Sequence, residues 1–243
     1  MPLNYHNYDA LSFDCYGTLI DWESGIWSAF QPLIDANSNL QVDQQQVLAE
    51  FAEFENQIQS DHPDMSYPDV LSSVHNRFAL THGLVTTGVR DATFGESVGQ
   101  WPAFPDSAEA LAHLKKRYKL VILSNVHDAG FAASNEHLDV EFDAIYTAEQ
   151  IGTYKPDIGN FEFLFTHLLA EQGIARERIL HVAQSLYHDI QPANMLGMNC
   201  VWIDRQSLST GGDWGATSVI TERPEVDAVF ADLASFAQTV VNG

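Results

Sequence analysis

The sequence predicts an α/β protein: a doubly wound parallel sheet with a block of helices inserted after its first strand. Three observations carry this. Between residues 105 and 230, short apolar runs alternate with helical segments, the pattern of a parallel sheet covered on both faces. One further apolar run, Ala10-Leu11-Ser12-Phe13, stands alone near the start. Between that run and residue 101 the apolar spacing is helical, with no clear strand. The expected organisation is a Rossmann-like core of residues 1–19 and 101–243, with a helical unit of residues 20–100 above the carboxyl ends of the strands.

The opening run reads as a short buried strand ending at Asp14, and Gly17 lets the chain turn sharply. Trp22, Ile26, Phe30 and Leu33 share one face of a first helix. Val47, Phe51 and Phe54 repeat near helical spacing in a second. Pro63 and Pro68 punctuate the next loop. Val70, Val74, Phe78 and Leu80 mark a third helix that ends near Gly83, and a weaker fourth runs from Gly88 towards Ser97. Asp106, with Glu109 three residues on, is expected to open the next helix as a capping box. Leu120-Val121-Ile122-Leu123 is a buried strand ending at Ser124-Asn125, and Ala144-Ile145-Tyr146 is another. Asn160 is expected to cap a helix that stops at Gly173. Ile179-Leu180-His181-Val182-Ala183 is a strand, followed by a helix ending near Gly197. Cys200-Val201-Trp202-Ile203 and Ala228-Val229-Phe230 complete the sheet. Residues 207–217, rich in Ser, Thr and Gly, read as a flexible surface loop.

The chain of 243 residues is 45% hydrophobic, enough for a normal core. Its 11 Lys and Arg against 33 Asp and Glu give a formal charge of -22, which argues against a nucleic-acid partner. The one basic cluster, Lys115-Lys116-Arg117, reads as a helix end, where cations suit the dipole. The two cysteines, Cys15 and Cys200, do not resemble a disulfide framework and fit a reducing compartment. No stretch approaches the roughly 20 apolar residues of a membrane span. Residues 1–8 lack a signal-peptide core. A soluble cytoplasmic protein with no membrane partner is the expectation.

A doubly wound sheet gathers its strand ends at one crevice. Asp14, Tyr16 and Thr18 follow the first strand, and Ser124 and Asn125 follow the second. Lys155 lies in Gly152-Thr153-Tyr154-Lys155-Pro156, and Ser185, His188 and Asp189 follow a later strand. Singly, each suits a bland role as turn residue, helix cap or surface lysine. Together they make coherent chemistry. A carboxylate acts as a covalent nucleophile when held ionised, and a nearby lysine lowers its pKa. Thr18, Ser124 and Asn125 are expected to donate to the Asp14 oxygens. Asp189 is expected to orient or activate water.

Asp14-x-x-Gly17-Thr18, Ser124-Asn125, Lys155-Pro156 and Asp189, in that order, resemble the four motifs of the haloacid dehalogenase superfamily. The resemblance spans nearly the whole chain and implies a Rossmann-like core with a helical cap. It also implies a hydrolase with Asp14 as nucleophile and Thr18, Ser124, Asn125, Lys155 and Asp189 around it. The superfamily's phosphatases carry a second Asp two residues after the nucleophile, where this chain has Tyr16. They usually carry an acidic pair for magnesium at the fourth motif, where this chain has Gln184 before Asp189. Asp14-Cys15-Tyr16-Gly17-Thr18 is similar instead to the metal-independent (S)-2-haloacid dehalogenases. That branch implies no metal or other cofactor, a small carboxylic acid as substrate, and a homodimer.

Two features depart from that branch. It uses an early cap arginine for the substrate carboxylate and the halide, yet this chain has no Arg or Lys between Asp14 and Arg77. The corresponding segment reads Ala49-Glu50-Phe51-Ala52-Glu53-Phe54-Glu55-Asn56. The branch's Tyr six residues after the motif lysine is Phe161 here. Longer strings, 14–23, 101–106 and Ser185-Leu186-Tyr187-His188-Asp189, resemble the azetidine-2-carboxylate hydrolases. These open a strained cyclic amino acid to a 2-amino-4-hydroxy acid. An amine leaving group needs no halide cradle, and His188 or Tyr16 is expected to assist its departure. Tyr16, Trp22, Asn125, Ser185 and His188 are the expected substrate contacts, although Trp22 and Phe54 also suit packing within the helices. A magnesium-dependent phosphatase with an altered site and a non-catalytic binding relative are the alternatives.

Overall fold

A computed structural model describes residues 3–37, 42–212, 220 and 222–242. Six parallel strands form one sheet: β1 (Ala10–Phe13), β2 (Lys119–Ser124), β3 (Ala144–Thr147), β4 (Ile179–Ala183), β5 (Cys200–Ile203) and β6 (Ala228–Phe230). Their order is β3-β2-β1-β4-β5-β6. The chain therefore builds outward from β1 in one direction, then returns to β4 and builds in the other. The boundary between β1 and β4 is the topological switch point, where doubly wound sheets open a crevice at their carboxyl ends.

The central strands are apolar on both faces because both faces are covered. Leu11 and Phe13 pack on one side with α5 (Ser107–Leu114) and α10 (Leu233–Asn242). Ala10, Val121 and Leu123 pack on the other, against Phe161, Leu164 and Leu168 of α8 (Gly159–Gln172). Between these helices run α6 (Asp128–Leu138), α7 (Ala148–Ile151) and α9 (Gln191–Met195). None of the described helices is long and apolar enough to cross a membrane.

Between β1 and β2 lie α1 (Trp22–Ala36), α2 (Gln44–Asp61), α3 (Tyr67–Thr81) and α4 (Gly88–Gly95). Each starts at a residue whose side-chain oxygen accepts an early backbone N–H: Asp21, Asp43, Ser66 and Thr87. Their apolar stripes meet in an aromatic core in which the Phe30 ring lies 4.8 Å from Phe78 and 4.5 Å from Phe94.

Several local expectations are corrected. Leu80 is 71% exposed, because it sits off the face that the four-residue spacing of Val70, Val74 and Phe78 buries. Asp106 makes no side-chain cap to α5. Its carboxylate accepts instead from the backbone N–H groups of Leu233 (2.7 Å) and Ala234 (3.2 Å) and pairs with Arg205. It thus caps α10, a partner remote in sequence. Asn160 is not the cap of α8, which begins at Gly159. Its amide donates to Thr153 Oγ1, while Asp157 accepts from the Gly159 N–H. Gly173 does end that helix, in the left-handed region that suits glycine. The basic cluster lies just past α5, where Lys115 pairs with Asp143. Of the loop 207–217, residues 213–217 lie outside the described residues, and Leu208–Thr210 forms one 3-10 turn.

Candidate active site

Asp14 leaves β1 at the switch point, its backbone N–H donating to Val182 O of β4. The chain then turns through Gly17, which has φ of +97°. A side chain there would be strained and would also press on Gln184 Oε1 at 3.0 Å and Trp22 Nε1 at 3.2 Å. This turn brings Thr18 back, and its hydroxyl donates to Asp14 Oδ2 at 2.8 Å. Thr18 Oγ1 also accepts from the Gln184 N–H at 2.9 Å, tying the turn to β4.

Lys155 comes from the segment between α7 and α8 and is buried. Its ammonium donates to Asp14 Oδ1 (2.9 Å), Asp189 Oδ1 (2.6 Å) and Leu123 O (2.9 Å). Asn125 fixes the lysine by its backbone: its Oδ1 accepts from the Lys155 N–H at 2.7 Å, and its Nδ2 donates to Lys155 O at 2.9 Å. Asp189 lies in a π-helical turn, Leu186–Ile190, after β4. His181 donates to Asp189 Oδ1 at 3.1 Å and accepts from Ser12 Oγ at 2.9 Å.

Burial pushes the Asp14 carboxyl up; the Lys155 ammonium opposes it, and the Asp189 charge adds to the rise. The expected net lowering by Lys155 is therefore outweighed. For Asp189, burial also works against the charged form, but Lys155 and His181 win and hold its carboxyl low. Burial works against the Lys155 ammonium as well, and the two carboxylates override it and raise its pKa.

Over this group lies a cavity of about 80 Å³. Asp14, Lys155, Asn125, Ser185, His188 and Asp189 bound it on the sheet side. The helical side is contributed by Trp22, Tyr67 and a stripe of α2: Ala52, Glu55, Asn56 and Gln59. An adjoining recess of about 470 Å³ shares Asn56, Gln59, Lys155 and His188 with it. Tyr67 donates to Glu55 Oε1 at 2.7 Å. Burial pushes the Glu55 carboxyl up to about 7, against the hydrogen bond from Tyr67.

The expected residues therefore fall into groups. Asp14, Thr18, Lys155 and Asp189 form one hydrogen-bonded cluster. Ser124 and Asn125 do not donate to Asp14. The Asn125 amide is spent on the Lys155 backbone, and Ser124 Oγ is buried without a partner among the described residues. Tyr16 lines the cavity, with its hydroxyl 3.0 Å from Ser134 Oγ on α6. Trp22 both lines the cavity and packs on Phe51. Phe54 does not line it and lies under the Arg77 guanidinium. Ser185 Oγ donates to His188 Nδ1 at 3.2 Å, and His188 Nε2 donates to Asn56 Oδ1 at 2.9 Å. Burial lowers the His188 pKa to about 4, so it is neutral near pH 7. With its one ring proton on Asn56 it is a poor acid for a leaving nitrogen, contrary to expectation. Glu55, Asn56, Gln59 and Tyr67 were not anticipated. The signal was present in the polar residues 55, 56 and 59, which recur at helical spacing beside the apolar face.

A family model described as haloacid dehalogenase-like hydrolase matches residues 8–197. The chain belongs to this family of hydrolases. Solved structures with the same fold include the L-2-haloacid dehalogenase from Xanthobacter autotrophicus with chloropropionic acid covalently bound. Its TM-score is 0.77 at 18% identity, covering 96% of this chain and 98% of that one. The defluorinating L-2-haloacid dehalogenase Rha0230 aligns with a TM-score of 0.76 at 17% identity, over 99% of each chain. The HAD-hydrolase YfnB from Bacillus subtilis bound to magnesium aligns with a TM-score of 0.73 at 16% identity, covering 97% of this chain and 99% of that one. At these identities the likeness concerns the fold. No curated protein sequence matches the chain.

The donors present fit a magnesium ion poorly. Both Asp14 oxygens are engaged by Thr18 and Lys155. The Gln184 amide donates to Gln206, and among the described residues Asp189 Oδ2 is the one carboxylate oxygen of this cluster without a partner. Magnesium demands near-octahedral oxygen ligation, for which one free oxygen is a weak start.

Proposed function

We propose that this haloacid dehalogenase-like hydrolase displaces a leaving group from a carbon of a small 2-substituted carboxylic acid, without a metal, through an ester on Asp14. The observation that carries the reading is the Lys155 ammonium held between Asp14 and Asp189. One hydrogen bond to each Asp14 oxygen orients the carboxylate and leaves lone pairs for attack. An Asp14 oxygen bonds to the carbon, and the leaving group departs with the electron pair of its bond. Water then adds to the Asp14 carboxyl carbon and the ester C–O bond breaks. One proton of that water passes to the alcohol oxygen, and the other is released as Asp14 returns to carboxylate. Asp189, held low in pKa, is a weak base; its free Oδ2 suits orienting the water.

At the phosphatase acid position stands Tyr16, whose pKa is pushed far up by burial. A phenol so placed gives little of the charge neutralisation that phosphoryl transfer needs. Carbon is therefore the better electrophile for this site. Its substrate is of the (S)-2-haloacid type or of the azetidine-2-carboxylate type.

The test is a panel of 2-chloropropionate enantiomers, fluoroacetate, L-azetidine-2-carboxylate and a generic phosphoester, each with and without chelator. Halide release or ring opening that survives chelation supports the reading. Chelator-sensitive phosphate release alone establishes a phosphatase. Asp14→Asn lowers turnover of the accepted substrate on the order of a thousandfold or more, since groups acting as one unit fail together. Full activity in that variant rejects the mechanism.

A further inference from the structure

Glu55 is a carboxylate that the hydrolytic steps do not use. It faces the same small cavity as Asp14, and one of its oxygens accepts from Tyr67. Among the described residues no cation pairs with it. The nearest arginines in sequence are engaged elsewhere: Arg77 lies over Phe54, and Arg90 donates to Val85 O. A second carboxylate of the cavity, Asp189, is fully buried, and its Oδ2 has no hydrogen-bond partner among the described residues. Three carboxylates, Asp14, Asp189 and Glu55, thus share the cavity with one ammonium, Lys155. When these carboxylates ionise the cavity carries more negative than positive charge, a balance that favours a cationic ligand and disfavours an anion.

We infer that Glu55 determines substrate specificity by holding a protonated nitrogen, so that the site takes small amino acids bearing an ammonium rather than halogenated acid anions. This rests on the hydrolysis through Asp14 proposed above and names the class of acid that enters. A haloacid anion adds a fourth carboxylate and offers Glu55 no donor. A zwitterion brings its carboxylate together with an ammonium that can donate to the Glu55 oxygen left open by Tyr67. A charge-assisted hydrogen bond of this kind is among the stronger ones available. Specificity then has an attractive part and a repulsive part. If the held nitrogen is itself the leaving group, its C–N bond breaks with the electron pair going to nitrogen. The resulting amine takes up the proton that ester hydrolysis releases.

The test separates binding from turnover. Asp14→Asn enzyme lacks the attacking carboxylate and serves for calorimetric binding of L-azetidine-2-carboxylate and (S)-2-chloropropionate. The ammonium acid is expected to bind more tightly. Adding Glu55→Gln is expected to reduce that preference about tenfold or more, the scale of a hydrogen bond to a charged group. Adding Tyr67→Phe, which keeps the charge and removes its orienting donor, reduces it less. Glu55→Asp, which keeps the charge on a shorter stem, retains part of the preference. Failure to bind the ammonium acid, equal or tighter binding of chloropropionate, or an unchanged preference with Glu55→Gln in folded protein each overturns the inference. If Glu55→Gln does not fold, the same reading is taken from Glu55→Asp, whose failure to alter the preference also overturns it. Selective binding with no turnover of any acid of the panel by the wild-type enzyme leaves the role of Glu55 standing and rejects the hydrolytic reading.

Discussion

Lys155 holds two carboxylates that would otherwise repel each other across the crevice. Its burial is tolerable because each of its donors has an acceptor: Asp14, Asp189 and Leu123 O. Glu55 is the opposite case, a carboxylate held by one phenol. Its carboxyl moves up from 4.5 to about 7. Below the lower value it is protonated in both the folded and the unfolded chain, and burial carries no charge penalty. Above about 7 it is ionised in both, and the folded state bears the cost. Stability is therefore lost as pH rises through this window. The ionisable groups facing Glu55 are Tyr67 on α3, Tyr154 and Lys155 before α8, and Asp14, Tyr16, His188 and Asp189 on the core side. Glu55→Gln is expected to be increasingly more stable than wild type from pH 4.5 to about 7, by up to about 3 kcal/mol. Denaturant unfolding of both proteins across that range checks this, and a flat difference would mean that Glu55 titrates normally.

At the scale of elements, α2 is the piece that gives the crevice its helical wall. Phe51, Phe54 and Ile58 bury its apolar side, while Glu55, Asn56 and Gln59 look onto Asp14's cavity. Asn56 ties the helix to the π-helical turn through His188, and Tyr154 ties the lower loop to α3's approach by donating to Met65 O at 2.6 Å. In the core, Asp106 serves two elements at once, the N-terminus of α10 and Arg205, which also donates to Thr18 O. Asp106→Ala is expected to cost about 1–3 kcal/mol, the loss of a helix cap plus a partly buried pair. A lowered urea midpoint with unchanged m-value would show it, and a change within about 0.5 kcal/mol would mean that water replaces the carboxylate. The strands and the four inserted helices were legible because hydrophobic period and N-cap chemistry are local. Helix α6 was not, because small residues such as Gly130 and Ser134 share its buried face with Phe131 and Leu138 and blur the period. The role of Asp106 is not encoded locally, because its true partner lies over a hundred residues away in sequence.

At the scale of the molecule, a formal charge of -22 means that the folded chain repels itself. Salt screens exposed charges at separations beyond about 10 Å at 0.1 M. Raising a chloride salt from about 0.01 M to about 0.5 M is expected to raise the thermal midpoint by several degrees, in line with a gain of about 1 kcal/mol. A midpoint that falls would mean that specific ion pairs, such as Lys119 with Asp143, outweigh the general repulsion. The same contrast of local and long-range terms divides what each level of description decides. From sequence alone come the parallel sheet, the inserted helices, and the gathering of Asp14, Lys155 and Asp189. Strand ends in a doubly wound sheet converge by topology, and four ordered motifs are local strings. The tertiary structure alone decided the rest. Asn125 serves the Lys155 backbone, His188 is neutral, and Glu55 stands in the cavity with Asp14. Each of these depends on which side chain is buried against which, and burial is a property of packing that no local pattern encodes.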